Sequence, residues 1–232
     1  MKDRPLGRTT RIAGLLAPAV AWLIIVPLPT AAAASEVPPL VTDRPDVTES
    51  SETVRRGSVQ VEAGYGFARF DGETERLDVT AFPSTLVRVG LDPRIELRLE
   101  WDGLISESRE AGGQRTEETG SGNMALGVKI KLREEQGALP QLAMLVDAVL
   151  PTGSQTFRAD RIDPAIRLAG SNRLTGRLGL SYNVGVGALT VEEAPADLDT
   201  EVLGRYSVAL GIGLSERWGA FVEAFGFLPA GD

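Results

Sequence analysis

The chain has 232 residues, enough for one large domain, and it contains neither cysteine nor histidine. These absences exclude a disulfide framework, thiolate metal sites and the usual Ser-His-Asp triad, so an enzyme is the less favoured class. A formal net charge of -8 disfavours nucleic-acid binding, because an acidic protein repels phosphate.

Residues 1–34 predict a cleavable secretory signal peptide. The positively charged start consists of four basic residues, Lys2, Arg4, Arg8 and Arg11. An apolar stretch follows over residues 12–29, and the alanines at 31–34 supply the small side chains that signal peptidase requires. The alternative is an uncleaved transmembrane anchor, which Pro18, Pro27 and Pro29 disfavour because proline interrupts a helix. We expect cleavage near Ala34.

Residues 35–57 predict a Pro-rich periplasmic segment that leads into the body of the chain. Four charged residues precede the first strand, namely Asp43, Arg44, Asp46 and Glu49. We expect these charges to bond to turns. One alternative is a segment that folds into the interior of a barrel as a plug. Another is a calcium site, but the stretch lacks the glycine and the distal bidentate glutamate of an EF-hand loop.

From residue 58 onwards, apolar and polar residues alternate with a period of two, which is typical of β-strands with one apolar face. The stretch over residues 94–105 shows the pattern best. Its apolar face consists of Ile95, Leu97, Leu99, Trp101 and Ile105. Its charged face consists of Glu96, Arg98, Glu100 and Asp102.

Nine such strands follow one another, and they are longer than the roughly 5–6 residues usual in soluble proteins. The links between them alternate between short ones, at 91–93, 135–140, 171–176 and 215–217, and long ones, at 71–75, 106–121, 152–162 and 190–200. Outer-membrane barrels have short periplasmic turns and long external loops. We therefore predict an all-β fold, an antiparallel up-and-down transmembrane β-barrel over residues 58–232. Since single-chain bacterial barrels have even strand numbers, nine strands indicate either a barrel that is incomplete at its C-terminus or a miscounted strand.

Several short motifs in order along the chain also carry a family resemblance. They are TDRPDVTES at 42–50, GSVQVEAGY at 57–65, LDPRIELR at 91–98, LGVK at 126–129, LPTG at 150–153 and WGAFVE at 218–223. Together they resemble the outer-membrane transporter-like family named for the putative MetA pathway of phenol degradation, over about residues 41–230. The resemblance implies a β-barrel that takes up small, often aromatic or hydrophobic compounds. It implies no catalytic or ligand-binding residue.

Charged residues on the polar faces are candidates for lining the lumen of the barrel. They are Arg88, Glu96, Arg98, Glu100, Asp102, Lys129, Lys131, Arg167 and Arg205. One reading is a lumen that selects solutes by charge and size. The favoured reading is that opposite charges on neighbouring strands pair and fill a narrow barrel. Glycines on the same faces are expected to make room for inward side chains; they are Gly64, Gly66, Gly179, Gly185, Gly187, Gly211 and Gly213.

These features favour an outer-membrane transporter or channel for small solutes, with no catalytic, cofactor or metal site. We expect it in the outer membrane of a Gram-negative-type cell, exported by the general secretory route. The expected partners are outer-membrane lipid, a small solute and the outer-membrane assembly machinery, and not nucleic acid. One alternative is a barrel with a structural or surface-interaction role. The other is a soluble periplasmic carrier, which would turn its apolar faces inward and its charges outward.

Overall fold

A computed structural model describes residues 22–27, 41–43, 47–72, 74–193, 197–215 and 218–229. The predicted signal peptide lies mostly outside these residues, as do its cleavage region and two of the four charges before the first strand, Arg44 and Asp46. The fold is all-β, with 72% of the residues in strands. None of the described residues belongs to a helix long and apolar enough to cross a membrane.

The chain forms twelve strands within the described residues. They are β1 (Trp22–Pro27), β2 (Val59–Asp71), β3 (Glu75–Asp92), β4 (Ile95–Trp101), β5 (Leu104–Ala111), β6 (Gln114–Ser121), β7 (Met124–Arg133), β8 (Gln141–Leu150), β9 (Asp163–Arg173), β10 (Leu178–Glu193), β11 (Asp197–Gly213) and β12 (Trp218–Pro229).

All twelve strands belong to one antiparallel sheet, in which β1 pairs with β12 and the paths from β2 to β12 follow the order of the chain once two interruptions are taken into account. β3 pairs with β4 along its second half and with β5 along its first half, because residues 102–103 only interrupt one long strand path. β6 and β7 are likewise interrupted at residues 122–123. β4 and β5 therefore count as one strand, and β6 and β7 count as another. Counted in this way, β2 to β12 correspond to the nine predicted strands. With β1 they make ten strands curled into a half-barrel, which confirms the predicted all-β antiparallel fold.

The side chains of the sheet sort by face. On β4, Leu97 points outward and is 42% exposed, whereas Arg98 beside it points inward and is 3% exposed. On β8, Val146 points outward and is exposed, whereas Leu145 points inward and is buried as an apolar residue among the inward charges. The apolar faces therefore point away from the concave interior, and the charged faces point into it.

Three features of the sheet differ from the predicted pattern. Residues 190–200, predicted as a long link, mostly extend β10 and β11, which pair from Thr190 opposite Thr200 to Glu193 opposite Asp197. Residues 106–121, predicted as a long link, instead form most of the β5–β6 hairpin, with Gly112 and Gly113 at positive φ in its turn. In β3, the register with β2 shifts between Gly64 and Gly66, which pair with Ser84 and Ala81. Residues that pair across two strands point to the same face of the sheet. Ala81 therefore points to the same face as Ser84, whereas strict alternation along β3 predicts opposite faces.

β1 lies within the predicted signal peptide. It pairs antiparallel with β12 from Trp22 opposite Glu223 to Pro27 opposite Trp218. The signal peptide and the domain boundaries at residues 34 and 57 stay predictions. Removal of residues 1–34 would take β1 away and leave β12 paired with β11 alone among the described strands.

Candidate functional site

Residues 41–43 and 47–56, which we call the inner segment, cross the concave interior of the half-barrel. Backbone N–H groups of this segment donate to side chains on widely separated strands. Asp43 N donates to Glu62 on β2, Val54 N donates to Glu96 on β4, and Glu49 N donates to Asn183 on β10, at 2.7, 2.8 and 2.7 Å; Val47 N and Thr48 N both donate to Glu223 on β12. Polar side chains that point inward thus accept the hydrogen bonds that the backbone carbonyls of a neighbouring strand would accept within a sheet.

Asp43 is the centre of a buried ion cluster. Its Oδ2 lies 2.6 Å from Arg98 Nη1, 2.7 Å from Lys129 Nζ and 3.3 Å from Arg88 Nη1. Burial would raise the pKa of Asp43, but Lys129, Arg98 and Arg88 outweigh it and hold this pKa well below its usual range. Asp43 is therefore an anion at neutral pH, and it joins three strands by one carboxylate.

Glu49 is the second acidic group that the inner segment brings into the interior. Its Oε2 lies 2.6 Å from Arg98 Nη2, and its Oε1 lies 3.6 Å from Arg167 Nη1. Burial raises the pKa of Glu49 to about 7, the negative charge of Asp43 adds to this rise, and Arg98 opposes it. The carboxyl of Glu49 therefore titrates near neutral pH.

The strands add ion pairs of their own around this centre. Arg88 binds Glu96 through two hydrogen bonds, Nε to Oε1 at 2.8 Å and Nη2 to Oε2 at 3.0 Å. Arg167 Nη2 donates to Asp147 at 2.7 Å, on the neighbouring strand. The charges of the interior are thus largely compensated, as buried charges must be.

The nine lumen-lining candidates separate into groups. Four are buried beneath the inner segment, namely Arg88, Glu96, Arg98 and Lys129. Three lie at the margin of the cluster, where Arg98 binds Glu100, Lys131 binds Glu52, and Arg167 reaches Glu49. Asp102 lies apart in the interruption between β4 and β5, where its Oδ2 accepts from Asn123 N. Arg205 lies on β11 opposite Phe227, and its guanidinium carbon lies 5.8 Å from the centre of that ring.

The structure corrects the expectation for the charges before the first strand. Asp43 accepts one local backbone hydrogen bond, from Ser50 N at 2.8 Å, but the ion pairs of Asp43 and Glu49 are with inward side chains of β3, β4, β7 and β9. Their positions agree with the alternative expectation, in which the segment folds into the interior. The calcium alternative fits poorly, because three cations already surround the carboxylate of Asp43, and no metal-binding group of acidic residues occurs among the described residues.

Sequence reasoning passed over several polar residues that hold the inner segment. They are Glu62, Gln141, Ser171, Asn183, Ser207 and Glu223. Glu223 carried the clearest signal, because it is the one charged residue between Phe221 and Phe225 on an otherwise aromatic face. A carboxylate buried on such a face requires hydrogen-bond donors, and backbone N–H groups of the inner segment provide them.

Two glycines give the interior its shape. A Cβ on Gly185 would lie 2.5 Å from Arg167 Cγ, so this glycine makes room for an inward arginine, as predicted. At Gly90 a Cβ would overlap the carbonyls of Val54 and Arg55, where the inner segment leaves the interior and meets β3. Gly57 N donates to Gly90 O at 2.7 Å at the same crossing.

The family model described as Putative MetA-pathway of phenol degradation matches residues 42–229. The chain belongs to this family. The MetA-pathway match starts at the beginning of the inner segment and continues to the end of β12, so the family domain includes both the segment and the sheet. No curated protein matches the chain.

Proposed function

We propose that the protein is an outer-membrane β-barrel protein that carries small solutes across that membrane through its concave interior. One observation carries this proposal, namely the division of apolar and charged side chains between the two faces of the sheet. The family name, which refers to phenol degradation, agrees with a small-molecule role.

The outward face has a continuous apolar row that crosses the whole sheet. Its members pair in sequence from β2 to β12: Val59, Val89, Leu97, Val128, Val146, Ile166, Val186, Gly204 and Leu228. Single exposed apolar residues are common on soluble proteins, but an unbroken row is not. Hydrocarbon would bury this row without a second sheet, as in outer-membrane barrels.

The adjacent inward row has the opposite chemistry. It runs from Glu96 on β4 and Lys129 on β7, through Leu145 on β8, to Arg167 on β9, Gly185 on β10 and Arg205 on β11, so that four of its six residues are charged. A soluble periplasmic carrier needs an apolar interior and a polar exterior, which is the reverse of this arrangement. The proposal includes no catalytic step.

The inner segment supports a specific form of the proposal, in which it acts as a plug. Its bonds to Glu62, Glu96, Asn183 and Glu223 place it across the path that a solute would take. A solute then passes beside the segment or after its displacement. The same bonds favour a second candidate, a barrel with a structural or surface-interaction role whose interior is permanently filled.

Conductance of the purified chain in planar lipid bilayers, after folding in detergent, tests the proposal. We expect heat-modifiable gel mobility, which marks a folded barrel, and small current steps. Glu223→Gln should increase the size or frequency of the steps, because it weakens the acceptor of Val47 N and Thr48 N. Glu117→Gln is the matched control, since Glu117 lies on the exposed β5–β6 hairpin.

The outcomes separate the candidates. A mobility shift without current in either variant would favour the structural role. A chain that stays monomeric and soluble without detergent would overturn the membrane proposal.

A further inference from the structure

The loop after β8 folds back against the sheet and is held there by one side chain. We call residues 151–160 of this loop the mouth loop. Asn123, in the interruption between β6 and β7, donates from Nδ2 to Phe157 O at 2.8 Å, and its Oδ1 accepts from Gly153 N and Ala159 N, both at 3.1 Å. A single amide side chain thus ties the two ends of the mouth loop together and fixes them to the sheet.

The position of Asn123 is itself fixed by bonds to a neighbouring strand path. Asp102 N donates to Asn123 O, and Asn123 N donates to Asp102 Oδ2, both at 3.0 Å. Beside them, Ser154 N of the mouth loop donates to Ser121 O at 2.8 Å. Asp102, one of the lumen-lining candidates, therefore supports the residue that holds the mouth loop.

The faces of the sheet beneath the mouth loop follow from the strand pairing. Leu104 pairs with Phe82, and both side chains are exposed, at 59% and 56%, on the outward face. The interruption at residues 102–103 therefore places Leu104, and not the predicted Ile105, on that face. The adjacent cross-strand row points inward, and it consists of Gly66, Ala81, Ile105 and Gly120.

The mouth loop lies on this inward side. A Cβ on Gly120 would overlap Ser154 Oγ and would lie 3.1 Å from Phe157 Cδ2. Two side chains of the mouth loop therefore occupy the space above Gly120 that a larger residue would fill. The mouth loop extends into the interior of the half-barrel and not away from it.

The mouth loop and the inner segment lie at different levels of the interior. The inner segment bonds to Lys129 on β7 and to Gln141, where β8 begins, whereas the mouth loop follows Leu150, where β8 ends. Asn123 precedes Lys129 by six positions, which corresponds to roughly 20 Å along an extended strand path. A solute that crosses the interior meets both.

We propose that the mouth loop is the constriction that limits the size of solutes entering the interior, and that Asn123 is the positioning residue that keeps it folded inward. The diameter of a pore is one of the properties that decide which solutes pass. The inference deepens the proposed function, on which it rests, because it names the residues that set the size limit.

Conductance in planar bilayers tests the inference, with polyethylene glycols of graded size as probes. A polymer lowers the current only when it is small enough to enter the pore. Asn123→Ala removes the three hydrogen bonds to the mouth loop, so it should increase the current step about twofold or more and admit larger polymers. Asn172→Ala is the matched control and should change neither value, because Asn172 lies near the opposite end of the sheet, where it accepts from Tyr182 at 3.4 Å.

A second variant displaces the mouth loop without changing Asn123. Gly120→Ala places a methyl group where Ser154 Oγ lies, so it should increase the current step in the same direction. Gly66→Ala is its control in the same cross-strand row, since a Cβ there would lie at an ordinary distance of 3.9 Å from Ala81 Cβ. Gel mobility shows whether each variant is folded.

A spin label at Gln155→Cys reports on the mouth loop without any current. Gln155 is exposed, and the chain has no cysteine, so the label is unique. We expect the label to become more mobile when Asn123→Ala or Gly120→Ala is added, and to keep its mobility with Asn172→Ala or Gly66→Ala.

The outcomes separate this inference from the proposed function. Current steps and polymer limits that stay unchanged in folded Asn123→Ala and Gly120→Ala would overturn the inference alone. Unchanged mobility of the label in Asn123→Ala would overturn the positioning role of Asn123. Absence of current in the unmodified chain and in every variant would overturn the proposed function, and the inference with it.

Discussion

At the scale of residues, Asp43 is the acceptor on which three cations from three strands converge. Arg88, Arg98 and Lys129 all lie within 3.3 Å of its Oδ2. Removing the carboxylate of Asp43 would leave these buried cations with uncompensated positive charge. Because a buried, uncompensated charge is costly, the loss of Asp43 should destabilise the folded state.

Asp43→Asn is expected to lower the free energy of unfolding by about 3–5 kcal/mol, the usual cost of removing one partner of a buried ion pair. Urea unfolding of the detergent-folded chain measures this change. Asp78→Asn is the control, because the Asp78–Arg69 pair lies at the surface and such pairs contribute only about 0–1 kcal/mol. A double variant with Asp43→Asn and Lys129→Met should recover part of the loss. Equal effects of Asp43→Asn and Asp78→Asn would contradict the buried cluster.

Glu49 makes the stability of the interior depend on pH. Its pKa is about 7 in the folded protein and 4.5 ordinarily, so the folded state binds the proton more tightly. The contribution of this group to stability is complete below about pH 4.5 and falls as the pH rises through 7. The difference in pKa corresponds to about 3 kcal/mol.

Glu49→Gln, which imitates the protonated carboxyl, should therefore match the unmodified chain near pH 5 and be more stable near pH 8, by at most about 3 kcal/mol. Unfolding midpoints at the two pH values measure the difference. Asp163→Asn serves as the control, since Asp163 is a buried acid whose Oδ1 accepts from Thr190 outside the ion cluster. A variant that is less stable than the unmodified chain at pH 8 would show that the Glu49–Arg98 ion pair dominates.

At the scale of elements, the inner segment depends on close backbone approach where it leaves the interior. Gly90 allows this approach, because no side chain separates β3 from the carbonyls of Val54 and Arg55. Gly90→Ala should loosen the segment and increase the rate of trypsin cleavage after Arg55 and Arg56 about tenfold, since cleavage requires local opening. Mass spectrometry of the early fragments measures this rate.

The control for this experiment is Gly66→Ala. A Cβ on Gly66 would lie 3.9 Å from Ala81 Cβ, an ordinary contact, so cleavage should not change. Equal cleavage rates in the two variants would contradict a tight crossing at Gly90.

The elements also show how far the sequence predicts this fold. The alternation on β4, β7 and β10 identifies each strand and its outward face, because one face must be apolar wherever the other is charged. The β5–β6 hairpin escaped prediction since residues 106–119 have polar residues on both faces and therefore no hydrophobic period. The displaced register in β3 follows a β-bulge, which moves residues to the other face and cannot be counted from alternation alone.

The candidate site was less predictable than the sheet. The inward direction of Arg88, Glu96, Arg98 and Lys129 followed from alternation, but their partner did not. Asp43 is separated from Lys129 by 86 positions, and Thr48 from Glu223 by 175, and the inner segment has no regular period. Such contacts depend on tertiary structure. The charged residue on the aromatic face of β12 was the best available indication that something polar fills the interior.

At the scale of the whole molecule, the sheet combines an apolar outer surface with a charged, occupied interior. The outward rows from β2 to β12 would be unfavourable in water and stabilising in hydrocarbon, whereas the inward charges are compensated by one another and by the inner segment. Both halves of this arrangement follow from the period of two. The central claim is therefore that the outward face contacts lipid.

Site-directed spin labelling tests this claim most directly, since the chain has no cysteine and every introduced label is unique. Labels at Leu97→Cys and Leu126→Cys report on the outward face, Ser181→Cys on the inward face, and Arg161→Cys on an exposed loop. In lipid vesicles, the outward labels should collide often with oxygen, which partitions into lipid, and rarely with a water-soluble nickel chelate. Collisions with the nickel chelate at Leu97 and Leu126 that are as frequent as those at Arg161 would place the apolar face in water and contradict the proposed membrane barrel.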